Sequence, residues 1–138
     1  MAQSALPVLS APLTRSVPYI LLEEEEKLPQ EFGPLVEMAE HMSDDKTVSR
    51  WKASTGSVML RYMRDGIKCQ LTVKPCLPEP TTHTPFLCGA ASIVDSLAVY
   101  YVNGLTTAGL VATIHRTVTG HPIVEVMGRG MFRVELSQ

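Results

Sequence analysis

The sequence predicts a single α+β domain in which two β-hairpins pack against amphipathic helices. Two alternating segments, 57–74 and 123–136, each contain a Gly-containing turn, which is typical of antiparallel hairpins. Apolar residues recur with a helical period over 34–42, 85–102 and 106–118. With 138 residues, of which 45% are apolar and 19% charged, the chain is long enough for one small core and too short for a multidomain enzyme.

The first hairpin has the clearest signal, because its two strands flank the dipeptide Asp65-Gly66. This dipeptide accepts the positive φ angles of a type I′ turn, and a two-residue loop fixes the register by pairing Arg64 with Ile67. One face is then apolar and pairs Val58 with Val73, Leu60 with Leu71 and Tyr62 with Cys69. The charges on the opposite face are all positive: Arg61, Lys68 and Lys74.

The second hairpin joins Ile123–Met127 to Met131–Leu136 through Gly128-Arg129-Gly130. Its core-facing residues are Phe132, Val134 and Leu136. Arg129 at the tip and Arg133 on the second strand make this hairpin basic as well.

One helix is predicted before the first hairpin, over 34–42, and one after it, over 85–102. Pro34 suits a first helical position, and the apolar residues from Leu35 to Met42 follow a helical spacing. Ser43–Asp45 can cap a further turn or two through Val48 and Trp51. The central helix is predicted to begin at Pro85 and to end before Asn103-Gly104.

Residues 106–118 allow two interpretations. Leu110, Ile114 and Val118 suit a helix, whereas the density of Thr, Val and Ile suits a strand. Because Gly104-Leu105-Thr106 is typical of a helix start and Gly120-His121-Pro122 of a helix end, the helix is favoured.

Residues 1–30 are predicted to form a flexible acidic arm that precedes a domain over 31–138. The arm contains four prolines and the run Glu23–Glu26, and its apolar island, Tyr19–Leu22, is either a docked segment or a peptide motif. Residues 1–45 carry two basic and nine acidic side chains, a net charge of −7, whereas residues 46–138 carry +5. The near-neutral total therefore hides an acidic segment attached to a basic body.

Catalytic and metal-binding patterns are weak. Cys69, Cys76, His83 and Cys88 lie within twenty residues, but their spacing lacks a C-x2-C or H-x3-H pair. The sequence contains neither a G-x-S-x-G elbow nor a phosphate-binding G-x4-G-K loop. Asp95, which lies among apolar neighbours, is expected to cap a helix or face water rather than titrate in a cleft. We therefore expect no enzyme activity, metal, cofactor or small-molecule substrate.

Basic residues of the two hairpins are the candidate binding site: Arg61, Lys68, Lys74, Arg129 and Arg133. A face of this kind attracts phosphate, from either nucleic acid or anionic lipid. Without an aromatic stripe among these residues, sequence-specific reading of single strands is not expected.

The sequence shows no signal-peptide pattern, and Asp95 interrupts the most apolar stretch, 86–102, so no transmembrane helix is expected. Three cysteines without a disulfide framework are typical of a reducing compartment. If 106–118 is helical, the order helix, turn, helix, hairpin over 90–136 is that of a winged helix, and a regulatory or adaptor protein that binds protein or nucleic acid is the alternative function.

The order of elements over 57–120 resembles the core of rhabdovirus-type matrix proteins. The resemblance rests on the strand end Cys69–Lys74, a Pro-rich loop, the helical segment Ala90–Tyr101 and the apolar Leu110–Ile114 after a Gly-containing link. It implies a non-enzymatic viral structural protein that self-associates, binds anionic membrane or ribonucleoprotein, and acts in assembly and budding.

The resemblance also implies a location in the virion, in the host cytoplasm or on the inner face of a host membrane. Tyr19 and Leu22 fit a Y-x-x-L motif for host sorting machinery, and the acidic arm, where the family usually has lysines, is expected to contact Arg61, Lys68 or Lys74 of another subunit.

Overall fold

The computed structural model describes residues 17–23, 27–77 and 92–137, which form a seven-stranded antiparallel sheet covered on one face by two α-helices. The strand order is β1-β2-β3-β4-β7-β6-β5. In chain order the elements are β1 (Tyr19–Leu21), α1 (Gly33–Met42), β2 (Ser49–Ala53), β3 (Val58–Arg64), β4 (Ile67–Cys76), α2 (Ile93–Thr107), β5 (Ala112–Arg116), β6 (Pro122–Val126) and β7 (Gly130–Ser137). A short 3-10 helix, Gln30–Phe32, leads into α1.

The predicted fold class, two hairpins with several amphipathic helices, is wrong. The described residues are dominated by one antiparallel sheet, and of the two helices α1 is short. The unpredicted strands β1, β2 and β5 have three to five residues each and lie at or next to the sheet edges. Strands this short contain too few residues for an alternating pattern to identify them in sequence.

The register predicted for the first hairpin is confirmed, and the two strands of the second predicted hairpin also pair with each other. Arg64 lies opposite Ile67 and Leu60 opposite Leu71, and the turn residues have positive φ angles of 53° at Asp65 and 76° at Gly66. In the second hairpin Val124 pairs with Phe132. The two hairpins are not separate, because Gln70–Cys76 of β4 pair with β7 and merge them into one sheet.

Helix α1 agrees with the predicted 34–42, but the limits of α2 differ from the predicted 85–102. Ser92, in an extended conformation, caps α2 by accepting a hydrogen bond from the Asp95 amide at 3.1 Å, so the helix begins at Ile93; residues 85–91 lie outside the described part of the chain. The helix also continues through Gly104, where a Cβ atom would lie 2.6 Å from Cβ of Pro34. Gly104 thus allows α1 and α2 to approach rather than ending α2.

The helix predicted over 106–118 is wrong, because α2 ends at Thr107 and Ala112–Arg116 form strand β5. Gly109, at a φ angle of 88°, and a hydrogen bond from the Leu110 amide to the Leu105 carbonyl close α2. The β-branched residues that follow then pair with β6. A winged helix needs its second helix here. The winged-helix fold, on which the alternative function as a regulatory or adaptor protein was based, is therefore not present in these residues.

The helical turns predicted after Met42 are also replaced by a strand. Asp44 and Asp45 lie in a turn, and Trp51 lies in β2, which pairs with β3. The Ser54-Thr55-Gly56 run is therefore a hairpin turn, with Gly56 at a φ angle of 91°.

Both helices pack on one face of the sheet, called here the helix face, and its apolar residues form the main core. Leu35 and Ala39 of α1 and Leu97, Tyr101 and Leu105 of α2 belong to one buried cluster with the apolar sheet residues. The opposite face, called here the far face, carries Trp51, Met59, Arg61, Met63, Lys68, Gln70, Thr72, Lys74, Arg133 and Glu135.

Part of the segment predicted to be a flexible arm forms strand β1, which pairs with β2 at one edge of the sheet. Residues 1–16 and 24–26 of that segment lie outside the described residues. Residues 27–29 lead into the 3-10 helix, where Phe32 is buried in the core.

Two aspartates organise the link between α1 and β2. The Asp44 carboxylate accepts hydrogen bonds from the amides of Asp65 at 2.9 Å and Gly66 at 3.2 Å, which attaches the link to the β3–β4 turn. The Asp45 carboxylate accepts hydrogen bonds from the Thr47 hydroxyl at 2.7 Å, the Thr47 amide at 3.0 Å and the Ser43 hydroxyl at 2.9 Å. These donors, above all the Thr47 hydroxyl, lower the pKa of Asp45 from 3.8 to about 2.

The Asp45 bonds predict a pH-dependent contribution to stability. Because folding lowers the pKa of Asp45, its carboxylate stabilises the fold above about pH 4, and this contribution is lost as the pH falls towards 2. The free energy of unfolding of wild type should therefore exceed that of Asp45→Asn near neutrality, and the difference should shrink between pH 4 and 2 in urea titrations. Thr47→Ala, which removes the strongest donor, should weaken this pH dependence; a difference that is constant from pH 6 to 2 would contradict the assignment.

Candidate anion-binding site on the far face

Four polar side chains form a row across four strands of the far face. The register places Ser49 of β2 opposite Arg61 of β3, Arg61 opposite Gln70 of β4, and Gln70 opposite Ser137 of β7. With Lys68 they line an open cavity of about 570 Å³. Sequence positions as distant as 49 and 137 thus meet because the two hairpins share one sheet.

Arg61 is held in place by contacts on two sides. Its Nε donates a hydrogen bond to the Gln70 amide oxygen at 3.3 Å, and its guanidinium carbon lies 5.4 Å from the centre of the Trp51 ring. The Trp51 indole N–H donates to Ser49 Oγ at 3.1 Å, which orients the ring. A cation over an aromatic face gains about 0.5–1 kcal/mol at an exposed site, enough to favour one orientation of the guanidinium.

The side chains that line the cavity are of the kinds that bind anions in proteins. Within the part of the chain that the structure describes, neither Arg61 nor Lys68 forms an ion pair. A guanidinium presents a planar set of donors that matches phosphate, and the Ser49 hydroxyl, which accepts from Trp51, keeps its own hydrogen for a ligand. Met63, 38% exposed, adds an apolar side chain next to Lys68.

The other three predicted basic residues have different surroundings. Lys74 lies on the far face opposite Arg133, but its ammonium is 3.0 Å from the Glu135 carboxylate. Arg133 is half-buried. Arg129, in the β6–β7 turn, lies 2.6 Å from the carboxylate of Glu31 in the 3-10 helix. The structure therefore brings Arg61 and Lys68 together at the cavity and places Arg129 in an internal contact.

The residues of the Y-x-x-L pattern lie at the sheet edge. Tyr19 belongs to β1, and the amide of Leu22 donates to the carbonyl of Arg50 at 2.8 Å. Both side chains are half-buried, so recognition of this pattern as an extended peptide requires β1 to leave β2.

The possible metal ligands are divided by the sheet. Cys69 is buried on the helix face and Cys76 lies on the far face, so the two thiols cannot bind one ion; His83 and Cys88 lie outside the described residues. Across residues 17–23, 27–77 and 92–137 no group of three or more His, Cys, Asp or Glu side chains could hold a metal.

Asp95 has a structural partner. It is buried in the first turn of α2, and its carboxylate lies 3.5 Å from the Arg116 guanidinium of β5. The pair connects the helix start to an edge strand, and a carboxylate there also interacts favourably with the helix dipole.

The sequence alone identifies Arg61 and Lys68 as candidates but not Ser49, Trp51 or Ser137, which lie beside them in the structure. Their contribution depends on β2, which was not predicted, and on the pairing of β4 with β7. The alternation of Ser49, Trp51 and Ala53 ahead of a Gly-containing turn was the available signal, and it is too short to be specific.

Comparison with known proteins adds no family: the chain matches no family model, no curated protein and no solved structure. None of the helices that the structure describes is long and apolar enough to cross a membrane.

Two of the predicted binding residues should differ in their effect on stability. Arg129→Gln leaves the largely buried Glu31 carboxylate without its ion pair, and we expect a loss of about 2 kcal/mol, between the values of exposed and buried pairs. Lys74→Gln breaks an exposed pair and should lower the free energy of unfolding by at most about 0.5 kcal/mol. Urea unfolding at pH 7 measures both, and equal losses would refute the structural role of Arg129.

Proposed function

We propose that this protein is a non-enzymatic structural protein of matrix type that binds an anionic membrane through the far face and self-associates on that membrane. The observation that carries the proposal is the cavity in which Arg61 is oriented by Trp51 and Gln70 beside Lys68. Oriented cations without ion pairs to described carboxylates favour phosphate as the ligand.

Two features favour a lipid headgroup over RNA. The Trp51 ring has Arg61 over it, so that face is not open to a stacked base. Met63 offers an exposed apolar group beside the cations, which suits the boundary between headgroups and acyl chains.

The expected affinity of one copy is low. A basic residue near an anionic membrane contributes about 1 kcal/mol, so Arg61 and Lys68 supply about 2 kcal/mol, with smaller contributions from Lys74 and Arg133. Stable attachment then requires several copies bound to the same surface. Self-association is for this reason part of the proposal, together with a location on the inner face of a host membrane and in the virion.

Ribonucleoprotein and host sorting machinery are the further partners in this proposal. Ribonucleoprotein would meet the same cations, whereas sorting machinery would bind Tyr19 and Leu22 after release of β1 from β2.

The proposal predicts that Arg61→Gln combined with Lys68→Gln weakens binding to vesicles containing phosphatidylserine by about 30-fold, the equivalent of about 2 kcal/mol. Co-sedimentation with vesicles at two salt concentrations measures the effect, and the wild-type affinity should fall as salt rises.

The matched control is Lys27→Gln combined with Lys52→Gln, which removes the same charge from exposed residues that do not line the cavity. This control should bind almost as wild type does. If both double variants lose binding equally, net charge rather than the cavity is responsible. If the cavity variant keeps its vesicle affinity but loses affinity for RNA, nucleic acid replaces lipid as the ligand and the membrane proposal is wrong.

A further inference from the structure

Strand β1 has one unpaired edge in the described structure, because β1 is the first strand of the sheet and pairs with β2 alone. The amide of Leu22 donates to the carbonyl of Arg50, which continues the register of β1 with β2, so the backbone groups of Leu22 point towards β2. These bonds alternate along an antiparallel pair, so Ile20 also points its N–H and C=O groups towards β2. The N–H and C=O groups of Tyr19 and Leu21 therefore point away from β2.

Within the described residues this edge lacks two features that usually prevent strand addition, charged side chains and an outward-facing proline, although the strand is only three residues long. Tyr19–Leu21 contains no charged residue, and the Ile20 and Leu21 side chains are 70% and 52% exposed. Pro18, which has no N–H, falls on the β2 side by the same alternation, so it leaves the outward donors intact.

We infer that two copies of the chain pair β1 with β1 in an antiparallel manner, about a two-fold axis that passes beside Ile20. In this register Tyr19 of each copy lies opposite Leu21 of the other, and the outward groups of both residues make four hydrogen bonds. Ile20 then lies directly opposite Ile20 of the second copy on the helix face. The edge is thus self-complementary in both its hydrogen bonds and its apolar side chains.

The area of this interface indicates how stable the dimer would be in solution. Pairing of three residues per copy buries well under the ~1,200 Å² that stable complexes need, so the dimer is expected to be weak in solution. The two-fold axis is perpendicular to the sheet, which leaves both far faces on the same side. This inference deepens the proposed function, since a membrane that binds both far faces would concentrate the copies and favour pairing.

The β5 edge is the competing partner for β1. Pairing of β1 with β5 would be head-to-tail and would produce a ring or an open filament instead of a two-fold dimer. In that arrangement Ile20 would lie beside a β5 residue of the other copy and not beside its Ile20. This difference in register can be tested.

Cysteine crosslinking tests the register in the absence of vesicles. In a non-hydrogen-bonded pair the Cα atoms lie about 4.5 Å apart, within disulfide range, so Ile20→Cys should form a covalent dimer under mild oxidant. Leu21→Cys is the matched control, because its two copies are offset by two positions and lie beyond about 7 Å. Wild type under the same oxidant measures any crosslinking through its own three cysteines. Equal crosslinking of the two variants would overturn the register.

Charge substitution tests the same contact by sedimentation equilibrium at high protein concentration. Ile20→Lys should abolish the dimer, because like charges would lie directly opposite each other, while the exposed position should leave the monomer folded. Mixing Ile20→Lys with Ile20→Glu should restore it as a mixed dimer. Ile93→Lys, at an exposed position on α2, is the control and should dimerise as wild type does.

The outcomes separate this inference from the membrane proposal. If the mixed sample stays monomeric, or wild type stays monomeric at every concentration, the β1 dimer is wrong even where vesicle binding is intact. If the charge pair restores the dimer while the Arg61 and Lys68 variants bind vesicles normally, the dimer stands and the membrane proposal fails.

Discussion

The contacts of Glu31 hold together three parts of the chain that are distant in sequence. The Glu31 carboxylate pairs with Arg129 in the β6–β7 turn at 2.6 Å, and its carbonyl accepts a hydrogen bond from the buried Tyr101 hydroxyl of α2 at 2.7 Å. Burial raises the pKa of Tyr101, so the hydroxyl remains a donor at all ordinary pH values. The 3-10 helix that starts α1 is thereby fixed to α2 and to the second hairpin, which sets the position of both helices on the sheet.

Some acidic residues of the first third of the chain make contacts with the basic body of the same molecule. Glu31 pairs with Arg129, and Asp44 caps the turn of the first hairpin, so acidic residues of the first third stabilise both hairpin turns. Lys74 is likewise paired with Glu135. The cations that remain outside such pairs among the described residues include Arg61 and Lys68, and these two line the cavity. The number of basic residues in the sequence therefore overstates how many basic side chains are left without an ion pair among the described residues.

Local signals predicted the parts of the fold that local geometry determines. Asp65-Gly66 specified a turn, and with it the register of β3 and β4, because a two-residue loop leaves no other pairing. Ala112–Arg116 satisfied helix and strand criteria alike, and its partner β6 decided the outcome. The site follows the same rule: alternation placed Arg61 and Lys68 on one face, whereas Ser49, Trp51 and Ser137 join them through strand pairings that no short pattern specifies.

The pairing of β4 with β7 also constrains how the chain reaches its native state. Leu71 lies opposite Leu136, so the central ladder of the sheet closes a loop of more than sixty residues that contains α2, β5 and β6. Closing such a loop loses chain entropy before its contacts form, which slows folding relative to helical domains of similar size. During synthesis the first hairpin can form early, but its core face stays uncovered on the β7 side until the last strand emerges. In that interval β4 is itself an exposed edge.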